Sequence, residues 1–379
     1  MRHAEKTLET IYRVESYDAG RYQTLKESWD DLFSSTEQVV PYLSFTWIDS
    51  FIQHKRYKGT VIILTVWFGG RLVVVWPLSL WKLWGIKIAQ PVSTGMHVYL
   101  GVLIDPAHLN TLRHLANYII SRQVFDVYVS NDLSSLDLPT WNLIKELHRQ
   151  NMRSVHVYRT VCHFIRLGCS YQDYLNKTKT KKRQKQLRYE EKKLHAYGQV
   201  KIHRFNREQI TGTILERALN IQQSSWMVKK NAAFLTDPFN RSLLFNMARE
   251  NFGQLWIMTI NDQDAAFVFA LRNQNRLEYF LTAFTLEFDR SLSIGKMLTQ
   301  QVIRDACQEG IKVLNFGQTD ALYKQFWGTH QHQVYRIAAG KGPAGRLLTC
   351  AYWAAWKLYG IKYIKRTYQK LKKTLSKNP

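Results

Sequence analysis

The apolar positions of this chain switch repeatedly between a period of two and a period of three to four. Residues 60–68 and 71–81 are strand-like runs around Gly69-Gly70, which predicts a hairpin. Leu25, Trp29 and Leu32 share one face of a helix over 19–33, and Ser44 is placed to cap a second helix carrying Trp47, Ile48 and Phe51. Strands are expected over 11–15, 100–104, 124–129 and 155–167, with helices over 110–122 and 139–150. The second half follows the same order. One helix is predicted over 171–197, a strand over 200–205, and helices over 208–226 and 239–250. A three-strand meander follows over 254–260, 265–272 and 277–284. A helix over 293–308 ends at Gly310, followed by a strand over 313–316, a short helix over 323–327 and a strand over 333–338. A long helix over 346–376 completes the pattern.

An antiparallel meander followed by a helix and one more strand implies an α/β layer arrangement with a mixed, largely antiparallel sheet. The pattern restarts at 168–171. This divides the chain into 1–167, 168–342 and a helical tail over 343–379. A length of 379 residues suits two such domains, and 45% hydrophobic residues suit packed cores.

Charge sharpens this picture. The net charge is +24, and nineteen of those excess charges lie either in 177–193 or after Asp320, beyond which no acidic residue occurs. The expected partner is therefore anionic: a nucleotide phosphate, a tRNA or an anionic lipid headgroup. Basic residues at 177, 181, 185, 188 and 192 form a stripe along one face of the predicted helix, with only Tyr189 as an interleaved aromatic. That composition speaks against recognition by base stacking and leaves a solvated face or a phosphate contact. The tail sets Leu348, Tyr352, Trp356, Tyr359 and Tyr363 on one face beside seven Lys and Arg, which suits packing on the body or an anionic membrane surface. The four cysteines fit no zinc spacing, and the polar first residues lack a signal peptide's apolar core. A cytoplasmic protein is expected, soluble or peripheral at the inner face of the membrane, with no metal.

Two segments carry candidate chemistry. Ser293, Ile294, Gly295, Lys296 and Met297 open a helix after a strand and a loop. A glycine there lets backbone N–H groups and the positive helix end approach a diphosphate, with Lys296 adding a cation. An ordinary helix start capped by Ser293 is the alternative. Further on, residues 315–328 are dense in polar and aromatic groups, and Gly317 breaks a strand at its C-terminal end. Tyr323 is suited to protonate a leaving thiolate and Lys324 to offset an oxyanion. Alternatively, Tyr323 belongs to the core and Lys324 to solvent.

The order of short motifs resembles the CelD-like (cellulose-biosynthesis-associated) acetyltransferases, a branch of the GNAT superfamily related to Fem-type peptidoglycan aminoacyltransferases. The first half carries Trp29-Asp-Asp-Leu32, Tyr42-Leu-Ser-Phe-Thr-Trp47 and Trp76-Pro-Leu78. The second carries the basic helix, Gln223-Ser-Ser-Trp226 with Phe234, Ser293-Ile-Gly295, Asn315-Phe-Gly317 and Tyr323-Lys324-x-x-Trp327. The resemblance implies two tandem GNAT-like domains plus a basic C-terminal helix, and transfer of an acyl group from acetyl-CoA or another acyl-CoA to an amine or hydroxyl. It places donor binding at Ser293 to Met297 and catalysis at Tyr323 and Lys324, with Trp226, Thr285, Asn315 and Asp320 near the substrate. Ile294 stands where the family has proline, and Thr285 and Asn315 where it often has aspartate. The expected acceptor is a polysaccharide, lipid or cell-envelope precursor. Two other readings stay open: aminoacyl transfer from tRNA, as in Fem-type proteins, and a non-catalytic scaffold at the membrane surface.

Overall fold

A computed structural model describes residues 12–37, 39–96, 98–225 and 233–375. They form an α/β protein of two compact units that draw on the chain in alternation. One unit takes the described parts of 1–35, 56–160 and 333–379, and the other takes 36–55 and 161–332.

The first unit contains β1 (Tyr12–Tyr17), α1 (Lys26–Ser35), β2 (Thr60–Phe68), β3 (Arg71–Leu83), β4 (Ile86–Pro91) and β5 (Leu103–Ile104). It continues with α3 (Leu112–Ser121), β6 (Val127–Ser134) and α4 (Leu138–Arg149), then the start of β7 (Arg153–Arg166). From the C-terminal part of the chain it takes most of β13 (His330–Gly340) and α11 (Gly342–Leu375). Its strands run β1-β2-β3-β4-β6-β13, all antiparallel except the parallel pair β4–β6, with β5 on β3. The β2–β3 turn holds Gly69 and Gly70 at φ 55° and 81°, two consecutive left-handed residues that the glycines accept without strain. Trp76, Phe125 and Tyr128 centre a core that also buries Leu115, Ile119 and Leu143.

The second unit contains α2 (Phe45–Gln53), the end of β7, α5 (Tyr171–Thr178), α6 (Lys181–Tyr197), β8 (Val200–Asn206), α7 (Gly212–Gln223) and α8 (Pro238–Arg249). Then come β9 (Gly253–Ile260), β10 (Gln263–Asn273), β11 (Arg276–Phe284), α9 (Ile294–Gln308), β12 (Val313–Gln318) and the short α10 (Leu322–Trp327). Its strands run β8-β9-β10-β11-β12-β7, again antiparallel except for one parallel pair, β11–β12. Each unit therefore repeats one plan: a four-strand meander, a crossover helix, a parallel fifth strand and an antiparallel sixth. Ser44 caps α2 as its position suggests, its hydroxyl accepting the Trp47 N–H at 3.3 Å.

Several local expectations need correction. The basic helix is two helices rather than one over 171–197. Lys179 is extended between them (φ −124°, ψ 133°) and Thr180 starts α6, its side chain accepting the Arg183 N–H at 3.3 Å. The Lys179 ammonium turns inward instead, donating to the Phe326 carbonyl and lying 5.0 Å from that residue's ring centroid. β4 was not anticipated, and the strand expected over 100–104 pairs only at Leu103–Ile104.

Candidate active site

The site grows out of the crossover β11–α9–β12. β11 and β12 pair only over Arg276–Glu278 with Val313–Asn315, after which the strands part. A bulge inserts Phe280, since Ala270 faces Tyr279 while Phe269 already faces Leu281. At the other end of the connecting loop, Ser293 adopts φ 54° and ψ 34°, so α9 begins from a left-handed residue. The Lys296 and Met297 N–H groups both bond the Ser293 carbonyl, at 2.9 and 3.0 Å. Ile294 and Gly295, one turn too early, have no helical carbonyl to receive their N–H groups. The Ser293 hydroxyl makes no cap bond, so this is not an ordinary capped start.

A cavity of about 600 Å³ lies at this point. Its walls include Ser293, Ile294, Gly295 and Lys296 from the helix start and Tyr279, Thr282, Phe284 and Thr285 from the parted strand, with Tyr323 beside them. Gly295 allows a close approach: a Cβ there would sit 3.0 Å from the Phe284 ring, which would have to shift by a few tenths of an ångström. The Tyr279 hydroxyl meets the Thr299 Oγ1 at 2.9 Å, and Thr299 donates to the Gly295 carbonyl at 2.8 Å, which fixes the helix start against the strand. Burial raises the Tyr279 phenol to about 12.

Tyr323 sits in α10, its ring 6.4 Å from those of Tyr279 and Phe316. Burial raises its pKa far above the usual tyrosine range, so it stays protonated, and its hydroxyl has no hydrogen-bond partner among the described residues. Lys324 is buried. Its ammonium donates to the Gly317 carbonyl at 3.2 Å and to the Gln318 carbonyl, and burial lowers its pKa to about 8. Gly317, at φ 70°, provides the left-handed bend that turns these carbonyls toward the lysine. An ammonium has three donors, so one remains for a ligand.

The structure thus brings Ser293, Ile294, Gly295, Lys296, Thr285 and Tyr323 to one cavity wall. Met297 is buried and does not line this cavity, and neither does Lys324, which is held by the Gly317 and Gln318 carbonyls. Asn315 is buried away from the wall, accepting from the Cys162 thiol at 2.8 Å and the Gly317 N–H at 3.0 Å. Asp320 is an exposed carboxylate paired with His163 at 2.7 Å. Trp226 lies outside the described residues. Lys296 is not free for a phosphate as it stands: it bonds Glu190 of α6 at 2.7 Å. Sequence reasoning missed Tyr279, Thr282, Phe284 and Thr299, which read as ordinary strand and helix positions. Among the described residues, no cluster of three or more His, Cys, Asp or Glu could hold a metal ion.

α6 buries only Leu187 and Leu194 and exposes Lys181, Lys182, Arg183, Lys185, Arg188 and Lys192. A second cavity, of about 460 Å³, lies where this helix meets β8, β9 and α9 and is lined by Arg204, Arg304 and Gln300 among others.

Residues 181–325, which build α6, the meander, the crossover and Tyr323, match the family described as the acetyltransferase (GNAT) domain. The matched segment lies within the second unit. No curated protein sequence matches the chain. In fold, the chain is similar to FemX over 82% of its length and 95% of that protein, with TM-score 0.58 and 11% identity. It is similar to the C-terminal domain of a candidate lysylphosphatidylglycerol synthetase from Agrobacterium fabrum over 87% and 95%, with TM-score 0.54 and 10% identity. L-PGS from Bacillus licheniformis matches over 78% and 90%, with TM-score 0.50 and 8% identity. The likeness in fold to these structures extends well beyond residues 181–325.

Proposed function

We propose that this protein transfers an acyl group from acyl-CoA to an amine or hydroxyl of a polysaccharide, lipid or cell-envelope precursor. The observation that carries the reading is the start of α9, where Ile294 and Gly295, whose N–H groups have no helical carbonyl to bond, line a cavity with apolar walls. Such a helix end favours the donor's diphosphate. Phe284, Phe288 and Leu286 line space suited to the pantetheine and acyl chain. Lys296 can exchange Glu190 for a phosphate. The acceptor attacks the thioester carbonyl, the C–S bond breaks, the thiolate takes the proton of Tyr323, and the proton lost by the acceptor passes through water to the phenolate, so the buried phenol ends the cycle protonated. The remaining donor of Lys324 offsets the oxyanion. The lysine-rich sequence after Trp356, free of acidic residues, supports contact with an anionic membrane surface.

A second reading uses an aminoacyl-tRNA donor. The exposed basic face of α6 favours it, as does the fold likeness to FemX and to lysylphosphatidylglycerol synthetases. Calorimetric titration of the full chain with acetyl-CoA, a longer acyl-CoA and aminoacyl-tRNA separates the two. The CoA reading expects thioester binding that Gly295→Trp weakens about a hundredfold. Failure of every acyl-CoA to bind, with tRNA binding that falls steeply with salt, replaces it with the second.

A further inference from the structure

The turn between β3 and β4 breaks two local rules. Trp84 occupies a left-handed position, φ 48°, where Gly or Asn is ordinarily found, followed by Gly85 at φ 80°. Its indole is 87% exposed and makes no ring contact among the described residues. Just behind it, Lys82 and Lys87 stand directly opposite one another across the hairpin, a like-charge pair that costs stability in water. A third lysine, Lys58, lies over the Trp81 ring at 3.2 Å. An exposed tryptophan backed by lysines suits a partner both apolar and anionic.

The long helix α11 starts at the same end of the same sheet, and Asp126 ties the two together. Its carboxylate accepts the Lys87 N–H at 2.9 Å, its N–H donates to the Lys87 carbonyl at 2.9 Å, and its carbonyl accepts the Lys341 N–H at 2.9 Å. Thr349, Tyr352 and Trp356 take the inner face of α11, where Tyr352 donates to Asn131 at 2.7 Å and Arg336 lies over Trp356 at 3.6 Å. The outward face is apolar as well: Leu347 is 72% exposed and Leu358 61%, with exposed Ala351 between them at helical spacing. Arg346 and Lys357 flank that stripe, and the sequence after it is rich in lysine with no acidic residue.

We propose that the Trp84 hairpin and the outward face of α11 form one docking surface for an anionic lipid bilayer. Trp84, Leu347 and Leu358 enter the boundary between headgroups and acyl chains, while Lys82 meets lipid phosphates and Lys87 and Arg346 exchange their bonds to the Gln123 and Asn151 carbonyls, at 2.8 and 3.3 Å, for phosphate contacts. This rests on the membrane contact read from the tail's charge and is independent of the acyl donor. Among the described residues no helix is long and apolar enough to cross a membrane, so the contact is a surface one.

The test is flotation of the full chain with vesicles of phosphatidylcholine alone and of phosphatidylcholine with phosphatidylglycerol. The wild type floats with the anionic vesicles and not with the neutral ones. Trp84→Ser weakens that binding about tenfold, the size of one buried large apolar side chain, and the double variant Leu347→Glu/Leu358→Glu, which removes two, weakens it about a hundredfold. Unchanged thermal unfolding of both variants shows that the fold is intact. Undiminished binding of both, with binding lost on removal of 359–379, overturns the docking surface and leaves the basic tail as the sole anchor. Absence of vesicle binding by the wild type overturns both. Light scattering that shows a lipid-free dimer dissociated by the double variant, without vesicle binding, assigns the face to a second copy of the chain instead.

Discussion

The two units share a plan of strands but start their crossover helices differently. In the first unit β4 is six residues long and ends at Pro91, and the chain reaches α3 through β5 and a 3₁₀ turn over Pro106–Thr111. That turn runs straight into the helix: Thr111 is already right-handed, and the Leu112 N–H bonds the carbonyls of Leu109 and Asn110. The start of α3 is closed by its own chain. In the second unit β11 runs nine residues, outlasts its pairing with β12, and hands the chain to a left-handed Ser293 from which α9 begins afresh. The same topology therefore packs a helix in one unit and opens a helix end in the other. The local geometry of a few residues, more than the fold, makes the site.

The hardest test of that contrast is Tyr323→Phe. The phenol hydroxyl has no partner among the described residues, so its loss should leave stability within about 0.5 kcal/mol of wild type. If it protonates the leaving group, turnover falls by about a hundredfold or more with little change in KM. Steady-state kinetics and urea unfolding on one preparation decide it, and unchanged turnover removes Tyr323 from the chemistry.

A core substitution in the first unit should show the opposite. Leu115 is fully buried there, and Leu115→Ala is expected to cost about 2–5 kcal/mol of stability. Donor affinity, measured well below the lowered melting temperature, should stay as in wild type. A parallel loss of affinity would mean that the first unit helps to hold the donor, and the division of labour would fail.

Lys324 sharpens the comparison through pH. Burial lowers its pKa to about 8, from an ordinary 10.5. Below pH 8 it is charged in both the folded and unfolded chain. Between about 8 and 10.5 the unfolded chain binds the extra proton, so this group's contribution to stability grows as pH rises through that window, by at most about 3 kcal/mol. An oxyanion partner must be charged, so activity should fall as pH rises past about 8, and Lys324→Met should lose that limb together with most of its turnover. Lys179, also lowered to about 8 by burial, is the control: Lys179→Met should keep the limb in the pH–rate profile.

Much of this was legible in the sequence, and the gaps have physical causes. Gly69-Gly70 and the Ser44 cap are local signals, and local structure obeys them. Gly295 was legible as a glycine at a helix start, but the Phe284 ring packed close against it comes from a strand whose alternation looks ordinary. Tyr279 and Thr282 line the cavity because β11 bulges at Phe280, and a bulge leaves no clear mark in the pattern. The division of the basic helix turned on Lys179, whose inward turn depends on the carbonyl of a residue far along the chain. Nor does a strand's own pattern say which sheet it joins: 161–166 and 333–340 become the sixth strands of their sheets through tertiary pairing alone.

The smallest expected effect concerns Asp320, proposed to lie near the substrate. Its exposed carboxylate accepts from the Gln325 amide at 2.8 Å and pairs with His163 Nε2 at 2.7 Å. The Gln325 bond chiefly, and His163 after it, hold its pKa below the usual carboxylate range. A depressed carboxylate stabilises the fold above its unfolded pKa, and that contribution disappears as pH falls through the folded value. Solvent screens an exposed pair, so Asp320→Asn should cost no more than about 1 kcal/mol at neutral pH. The difference from wild type in urea unfolding should vanish in acid. If Asp320 also contacts the acceptor, the acceptor KM rises in this variant while donor affinity holds. An unchanged acceptor KM leaves Asp320 a structural partner of His163 at the edge of the site.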